Sequence, residues 1–208
     1  QDLARALVTA LMARGHVLLE SVPGLAKTTA ALTLADSISG TFSRIQCTPD
    51  LMPNDIVGTQ IYSYETGSFS TQLGPVHANM VLLDEINRSS AKTQSAMLEA
   101  MQERQTSIGG TIYKLPDPFL VMATQNPIEE EGTYVLPEAQ MDRFLLKEVL
   151  TYPEPEEEVE ILTKSAEGSF GRGDVEPITA DDVLFLQATA RQVYVDESIK
   201  RYIVALIN

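Results

Sequence analysis

The sequence predicts an α/β domain with a five-stranded, mainly parallel sheet between helices, followed by a small helical part. Three observations predict it. Short continuous apolar runs at residues 16–20, 80–84 and 119–124 have the length of strands buried on both faces. Segments of helical periodicity separate them, and strands alternating with helices imply crossover connections and a parallel sheet. After residue 152 the strand signals cease and only helical segments remain.

Each element has a local reason. The first run is broken at once by Ser21-Val22-Pro23-Gly24, and residues 27–38 then carry Ala, Leu and Thr at helical spacing until Gly40. Residues 42–47 alternate like a half-buried strand, and residues 145–150 form a further strand with polar interruptions. Residues 91–104 read as an amphipathic helix with Ala96, Met97, Ala100 and Met101 on one face. Two stretches between core strands are expected to be inserts. Residues 59–79 are polar, with Tyr62 and Tyr64 in a short alternating patch. Within residues 105–116, Gly109-Gly110 between two short strand-like runs signals a two-residue hairpin. Pro153 and Pro155 mark a boundary between a core at 1–152 and a helical part at 153–208. Helices are expected there at 156–167, 179–192 and 197–207, the second opened by a capping-box pattern of Thr179 and Asp182.

Composition narrows the function classes. The 208 residues carry a formal charge of −14, which argues against nucleic acid as a general partner because phosphate backbones repel such a surface. Five basic and twelve acidic residues follow Pro153, so the C-terminal part is the more acidic. No apolar run is long enough for a membrane span, and the start at Gln1 has neither the basic stretch nor the cleavage site of a signal peptide. The single Cys47 excludes an intrachain disulfide, in keeping with a cytoplasmic setting, and reads as a small buried hydrophobe. His16 and His77, far apart and with one cysteine, make no transition-metal set, and the seven methionines read as core packing.

The chemistry is carried by three strand ends. Ser21, Val22, Pro23, Gly24, Leu25, Ala26, Lys27, Thr28 and Thr29 lie between a predicted strand and a predicted helix, in a phosphate-loop pattern. Such a loop directs backbone N–H groups and a helix dipole at an anion. Lys27 supplies a charge for the β and γ phosphates of ATP, and the Thr28 hydroxyl a ligand for Mg²⁺. Ser21 and Ala26 stand where the general pattern has glycine. Asp84 and Glu85 end a buried strand, where two carboxylates are costly unless a cation offsets them. Asp84 suits a role in holding Mg²⁺, Glu85 a role as general base toward water. Asn126 closes a third apolar strand, either to reach the γ-phosphate and the lytic water or simply to form a turn with Pro127.

The stretches Leu18-Leu-Glu-Ser-Val-Pro-Gly-Leu-Ala-Lys-Thr28, Leu82-Leu-Asp-Glu-Ile-Asn-Arg-Ser89, Ala123-Thr-Gln-Asn-Pro-Ile-Glu-Glu-Glu-Gly-Thr-Tyr134 and Pro137-Glu-Ala-Gln-Met-Asp-Arg-Phe144 resemble the motifs of the MoxR family of AAA+ ATPases, and the likeness spans nearly the whole chain. Ala26 then fits the family's loop, while Ser21 departs from its usual glycine. The resemblance implies a P-loop AAA+ core followed by a helical lid, incomplete here because the family's second sensor arginine has no counterpart before Asn208. It implies Asn126 as the γ-phosphate sensor and Arg143 as an arginine finger inserted into a neighbour's site. An ordinary ion pair of Arg143 with Glu138 or Asp142 is the alternative. Arg88 is either an interface residue or a surface arginine. The two inserts correspond to family elements that face a central pore, where Phe69 and Tyr113 either contact a client or pack under their own hairpins.

The implied activity is Mg²⁺-dependent ATP hydrolysis in a homo-oligomeric, hexameric ring. It would drive chaperone-like remodelling, assembly or cofactor insertion of protein clients, some of them von Willebrand factor A-domain proteins. Two other readings stay open: a nucleotide-dependent regulatory switch that does not hydrolyse, and a magnesium-chelatase-like motor subunit.

Overall fold

The computed structural model describes residues 2–21, 27–126, 134–153, 155–166 and 176–207. Helix α1 (Asp2–Met12) leads into strand β1 (Val17–Ser21) and helix α2 (Lys27–Ser37). Strand β2 (Phe42–Gln46), the short helix α3 (Pro53–Val57) and the hairpin β3 (Gly58–Ser63)–β4 (Ser68–Leu73) follow. Next come β5 (Met80–Asp84), α4 (Ala91–Glu103), the hairpin β6 (Gln105–Ile108)–β7 (Thr111–Lys114) and β8 (Leu120–Gln125). Helix α5 (Glu138–Met141) and strand β9 (Leu146–Leu150) complete the layer, and α6 (Pro155–Ala166), α7 (Ala180–Ala190) and α8 (Glu197–Ile207) follow it.

The main sheet has five strands in the order β2-β5-β8-β1-β9, every pair parallel. This is the predicted sheet. Its apolar runs are continuous because alternate residues serve two cores. Leu18, Val81, Leu83, Val121 and Ala123 face a core built with Met97, Leu98 and Met101 of α4. Val17, Leu19, Met80, Leu82, Leu120 and Met122 face the other, built with Leu7 and Leu11 of α1, Ala31 and Ala35 of α2, and Val183 of α7. Helix α7 is therefore docked on the α/β layer, and Gln187 fastens it by donating to the Leu11 carbonyl at 2.7 Å. Its start carries the expected reciprocal cap between Thr179 and Asp182. Helix α8 buries no residue, and Tyr202 and Ile203 stand exposed on it. No described helix is long and apolar enough to cross a membrane.

Both inserted stretches form two-stranded hairpins. Gly109 and Gly110 have φ of 58° and 81°, the left-handed values a tight two-residue turn demands. The hairpins touch one another: the Tyr113 and Thr71 hydroxyls are 2.9 Å apart, and Nε2 of His77 meets the Thr106 hydroxyl at 2.9 Å. Tyr113 thus packs between the hairpins, whereas Phe69 stays exposed in an edge-to-face group with Tyr62.

His16 ties the amino side of the sheet together. Its Nδ1 accepts the Val121 N–H at 3.0 Å, so the ring proton sits on Nε2, which donates to the Met101 carbonyl at 3.2 Å. Burial lowers its pKa to about 4. The unfolded chain binds this proton near pH 6.5 and the folded chain only near 4, so stability is lost as pH falls through that window. The loss is about 3 kcal/mol. Urea unfolding of the native chain should therefore weaken more between pH 7 and 4 than that of His16→Gln, and parallel pH profiles would refute this. Cys47 is fully buried behind β5, its thiol pushed up to about 12 chiefly by burial, with Asp84 and Glu85 adding to the rise. In the folded protein it should resist a thiol reagent such as dithionitrobenzoate and react promptly in denaturant. Rapid labelling of the native chain would contradict that.

Candidate functional site

In an open parallel sheet, ligands bind outside the carboxyl ends of the strands. Three ends converge here. Strand β1 ends at Ser21, β5 at Asp84 and β8 at Gln125, with β8 lying between the other two. Strand spacing puts the tips of β1 and β5 about 10 Å apart. Helix α2 begins at Lys27, so Lys27, Thr28 and Thr29 occupy its first turn, where the helix dipole is positive. Val22, Pro23, Gly24, Leu25 and Ala26 lie outside the described residues.

Asp84 is 9% exposed at the end of a strand whose every residue is buried. Its two oxygens have separate partners. The Arg44 guanidinium on the neighbouring β2 donates to Oδ2 at 2.5 Å, and the Thr124 hydroxyl on β8, the other neighbour, donates to Oδ1 at 2.9 Å. The same Thr124 hydroxyl accepts the Glu85 backbone N–H at 2.8 Å. Glu85 itself is left-handed, with φ 57° and ψ 54°. For a residue with a Cβ that conformation costs roughly 1–2 kcal/mol, so the surroundings must hold it. The chain then enters a 3-10 turn, Ile86–Arg88. The Glu85 carboxylate accepts from Gln46 Nε2 and from Arg88, each at 3.1 Å. Both carboxylates are thus offset by an arginine. Arg44, Gln46 and Thr124 carry no local sequence signal, because each pair spans about forty residues. Arg88 bridges back to Glu85, a role its place after the acidic pair did not suggest.

Asn126 follows β8 directly and is buried. Its carbonyl accepts from the Asn87 amide at 3.4 Å, while Asn87 Oδ1 is buried with no partner among the described residues. Gln94 of α4 aims its amide at three carbonyls, those of Ile86, Ser89 and Tyr134, at 3.2, 3.2 and 2.9 Å. It thereby clamps the turn after the acidic pair to the segment that returns at Tyr134. Its sequence signal is a polar residue on the buried face of an amphipathic helix. Pro127 and the stretch up to residue 133 lie outside the described residues.

Arg143 is exposed in the turn between α5 and β9. Among the described residues it makes no ion pair with Glu138 or Asp142. It lines a shallow depression with His16, Gln102, Ala139 and Asp142. Strand β9 is the sheet edge three places from β5, and Leu145 is bonded to His16 on the amino side of the sheet. Strand spacing and rise then separate Arg143 from its own acidic pair by on the order of 15 Å or more.

The arrangement has close counterparts. The family model described as "ATPase family associated with various cellular activities (AAA)" matches residues 16–146. The Chaperone MoxR1 of Mycobacterium tuberculosis is 52% identical over 99% of this chain and 54% of its own length. The protein YeaC of Bacillus subtilis is 50% identical over 100% of this chain and 65% of its own. A crystal structure of a candidate ATPase from Cytophaga hutchinsonii superposes with a TM-score of 0.88 at 48% identity, covering 99% of this chain and 62% of that one. The chain thus spans between about half and two thirds of the length of these relatives. With the five-stranded parallel sheet and an acidic pair at its carboxyl edge, it belongs to the MoxR family of AAA+ ATPases.

Proposed function

We propose that this chain is the motor core of a MoxR-type assembly that hydrolyses ATP with Mg²⁺ between neighbouring subunits of a hexameric ring. The observation that carries the reading is the acidic pair. Asp84 and Glu85 stand at the carboxyl edge of the sheet, with only β8 between their strand and the strand that leads into the phosphate-loop sequence. The donor set fits the metal: a carboxylate and the Thr28 hydroxyl are the hard oxygen ligands Mg²⁺ takes. Arg44 on Asp84 fits it too, since a cation already stands at that oxygen. Asp84 and Thr28 would hold the ion, which when bound neutralises charge on the phosphates.

Lys27 and the loop from Ser21 to Ala26 bind the phosphates of ATP, with Thr29 in the same first turn. Glu85 orients a water molecule and takes its proton, and Asn126 turns its amide to the γ-phosphate. Arg143 lies too far from its own Asp84 to serve that site, and its exposure suits a finger offered to a neighbour. Arg88, beside Glu85 and partly exposed, belongs to the same subunit boundary. The product of the cycle is work on a protein client, as the name of the mycobacterial relative suggests. The exposed Phe69 and Tyr62 on the first hairpin are its contacts, and a von Willebrand factor A-domain protein is the partner to try first. The setting is cytoplasmic.

The test is ATP turnover against protein concentration. Turnover per chain should rise with concentration. Glu85→Gln should cut it about a hundredfold or more while still binding nucleotide. Arg143→Ala should cut it about a thousandfold. Turnover that is flat with concentration and indifferent to Arg143 would sink the shared site. Glu85→Gln with native turnover would sink the assignment of the base.

A further inference from the structure

We propose that the Thr124 hydroxyl is a positioning group for both carboxylates, setting where Asp84 and Glu85 stand relative to Asn126. The inference rests on the ATPase reading above for its consequence, though not for its geometry. A hydroxyl has one proton. Because the Glu85 N–H can only donate, Thr124 accepts there, and its own proton must go to Asp84 Oδ1. The two bonds, 2.8 and 2.9 Å, are made by a side chain only 1% exposed. Water has no access to replace it.

The place in the sheet explains why a side chain does this. The ladder between β5 and β8 ends at the pair Leu83 and Ala123. Two residues on, Glu85 has left the strand for the left-handed conformation, and among the described residues its N–H meets no backbone acceptor across the sheet. The hydroxyl of Thr124 takes the acceptor's place. It thereby pins the strained residue that aims the Glu85 carboxylate, and with the same oxygen it fixes Asp84. Strand β8 carries Asn126 two residues further, so the amide that meets the γ-phosphate is in rigid register with the acids. The other polar partners cannot substitute. Arg44 and Gln46 come from β2, two places from β8 in the sheet, and Arg88 rides on the turn that Glu85 itself begins.

The test compares Thr124→Val, which keeps the shape and loses the hydroxyl, with Thr124→Ser, which keeps the hydroxyl. Hydrogen exchange at the Glu85 amide and steady-state ATP kinetics are measured on each. In Thr124→Val the Glu85 amide should exchange about tenfold faster or more, since its acceptor is gone. Its kcat should fall about tenfold or more with KM within about threefold, the mark of misplaced groups rather than lost binding. Thr124→Ser should stay within about threefold of the native chain in all three quantities. Should Thr124→Val not fold, Thr124→Ala carries the same expectations. Native exchange in the hydroxyl-free variant would overturn the proposal. So would a Thr124→Ser variant as impaired as Thr124→Val, which would assign the effect to the methyl group's packing. A native chain that binds no ATP overturns the ATPase reading alone, and exchange at Glu85 still decides the geometry.

Discussion

A charged carboxylate at the tip of a fully buried strand is the constraint on which this site depends. Asp84 ends five buried residues, and nothing in the two cores beneath it can solvate a charge. Its partners must therefore come from the strands on either side. Arg44 comes from β2 and Thr124 from β8, so the three strands are bound together at their carboxyl ends as well as along their ladders. A hydrogen bond to a charged group contributes roughly 1.5–3 kcal/mol, more than a single ladder bond between neutral groups. The sheet thus anchors the site, and the site in turn locks the sheet's edge.

The two faces of the sheet do different work. On one, α1, α2 and α7 pack over Val17, Leu19 and Leu82, so the helix that begins with Lys27 is fixed by the same core that receives the helical part. On the other, α4 supplies both Met97 and Leu98 to the core and Gln94 to the loops of the site. A single helix face therefore mixes apolar packing with one polar clamp. Such a clamp offsets its own burial by donating to carbonyls of both the turn and the returning segment. The paired hairpins continue from this face. Thr71 and Tyr113 join them, so the hairpin that carries the exposed Tyr62 and Phe69 is tied to the second hairpin.

Much of this was legible from residues alone, for identifiable reasons. The three inner strands announced themselves because burial on both faces leaves apolar runs with almost no polar interruption, and the two edge strands, β2 and β9, showed through alternation or polar interruptions. The Gly109-Gly110 turn and the Thr179–Asp182 cap are local, written within four residues. The acidic pair was visible because charge at the end of such a run is anomalous. The roles of Arg44, Gln46 and Thr124 were not legible. Each depends on which strand lies beside β5, and strand order is a long-range fact that no local pattern carries. Arg88 reads equally as an interface or a surface residue, and its pairing with Glu85 appears only once the left-handed Glu85 turns the chain back. For Arg143, no local pattern carries its distance from Asp84, which follows from the sheet order.

The two adjacent carboxylates are held unequally, and the inequality suits two roles. Asp84 is bound on both oxygens, and one of those bonds is to a buried side chain that also holds the Glu85 N–H. Glu85 is bound through partners that are partly exposed, Arg88 and Gln46, on the outer side of the pair. An ion pair open to solvent is worth little, roughly 0–1 kcal/mol, so the Glu85 side chain can exchange its partners at small cost. Its backbone cannot, since Thr124 holds the N–H. A ligand for a metal benefits from the first kind of hold, because its geometry must survive each cycle. A base that meets a water benefits from the second, because it must release one partner to take another. Neighbouring acids with the same chemistry are thus divided by what surrounds them, and a single hydroxyl from β8 stands on both sides of the division.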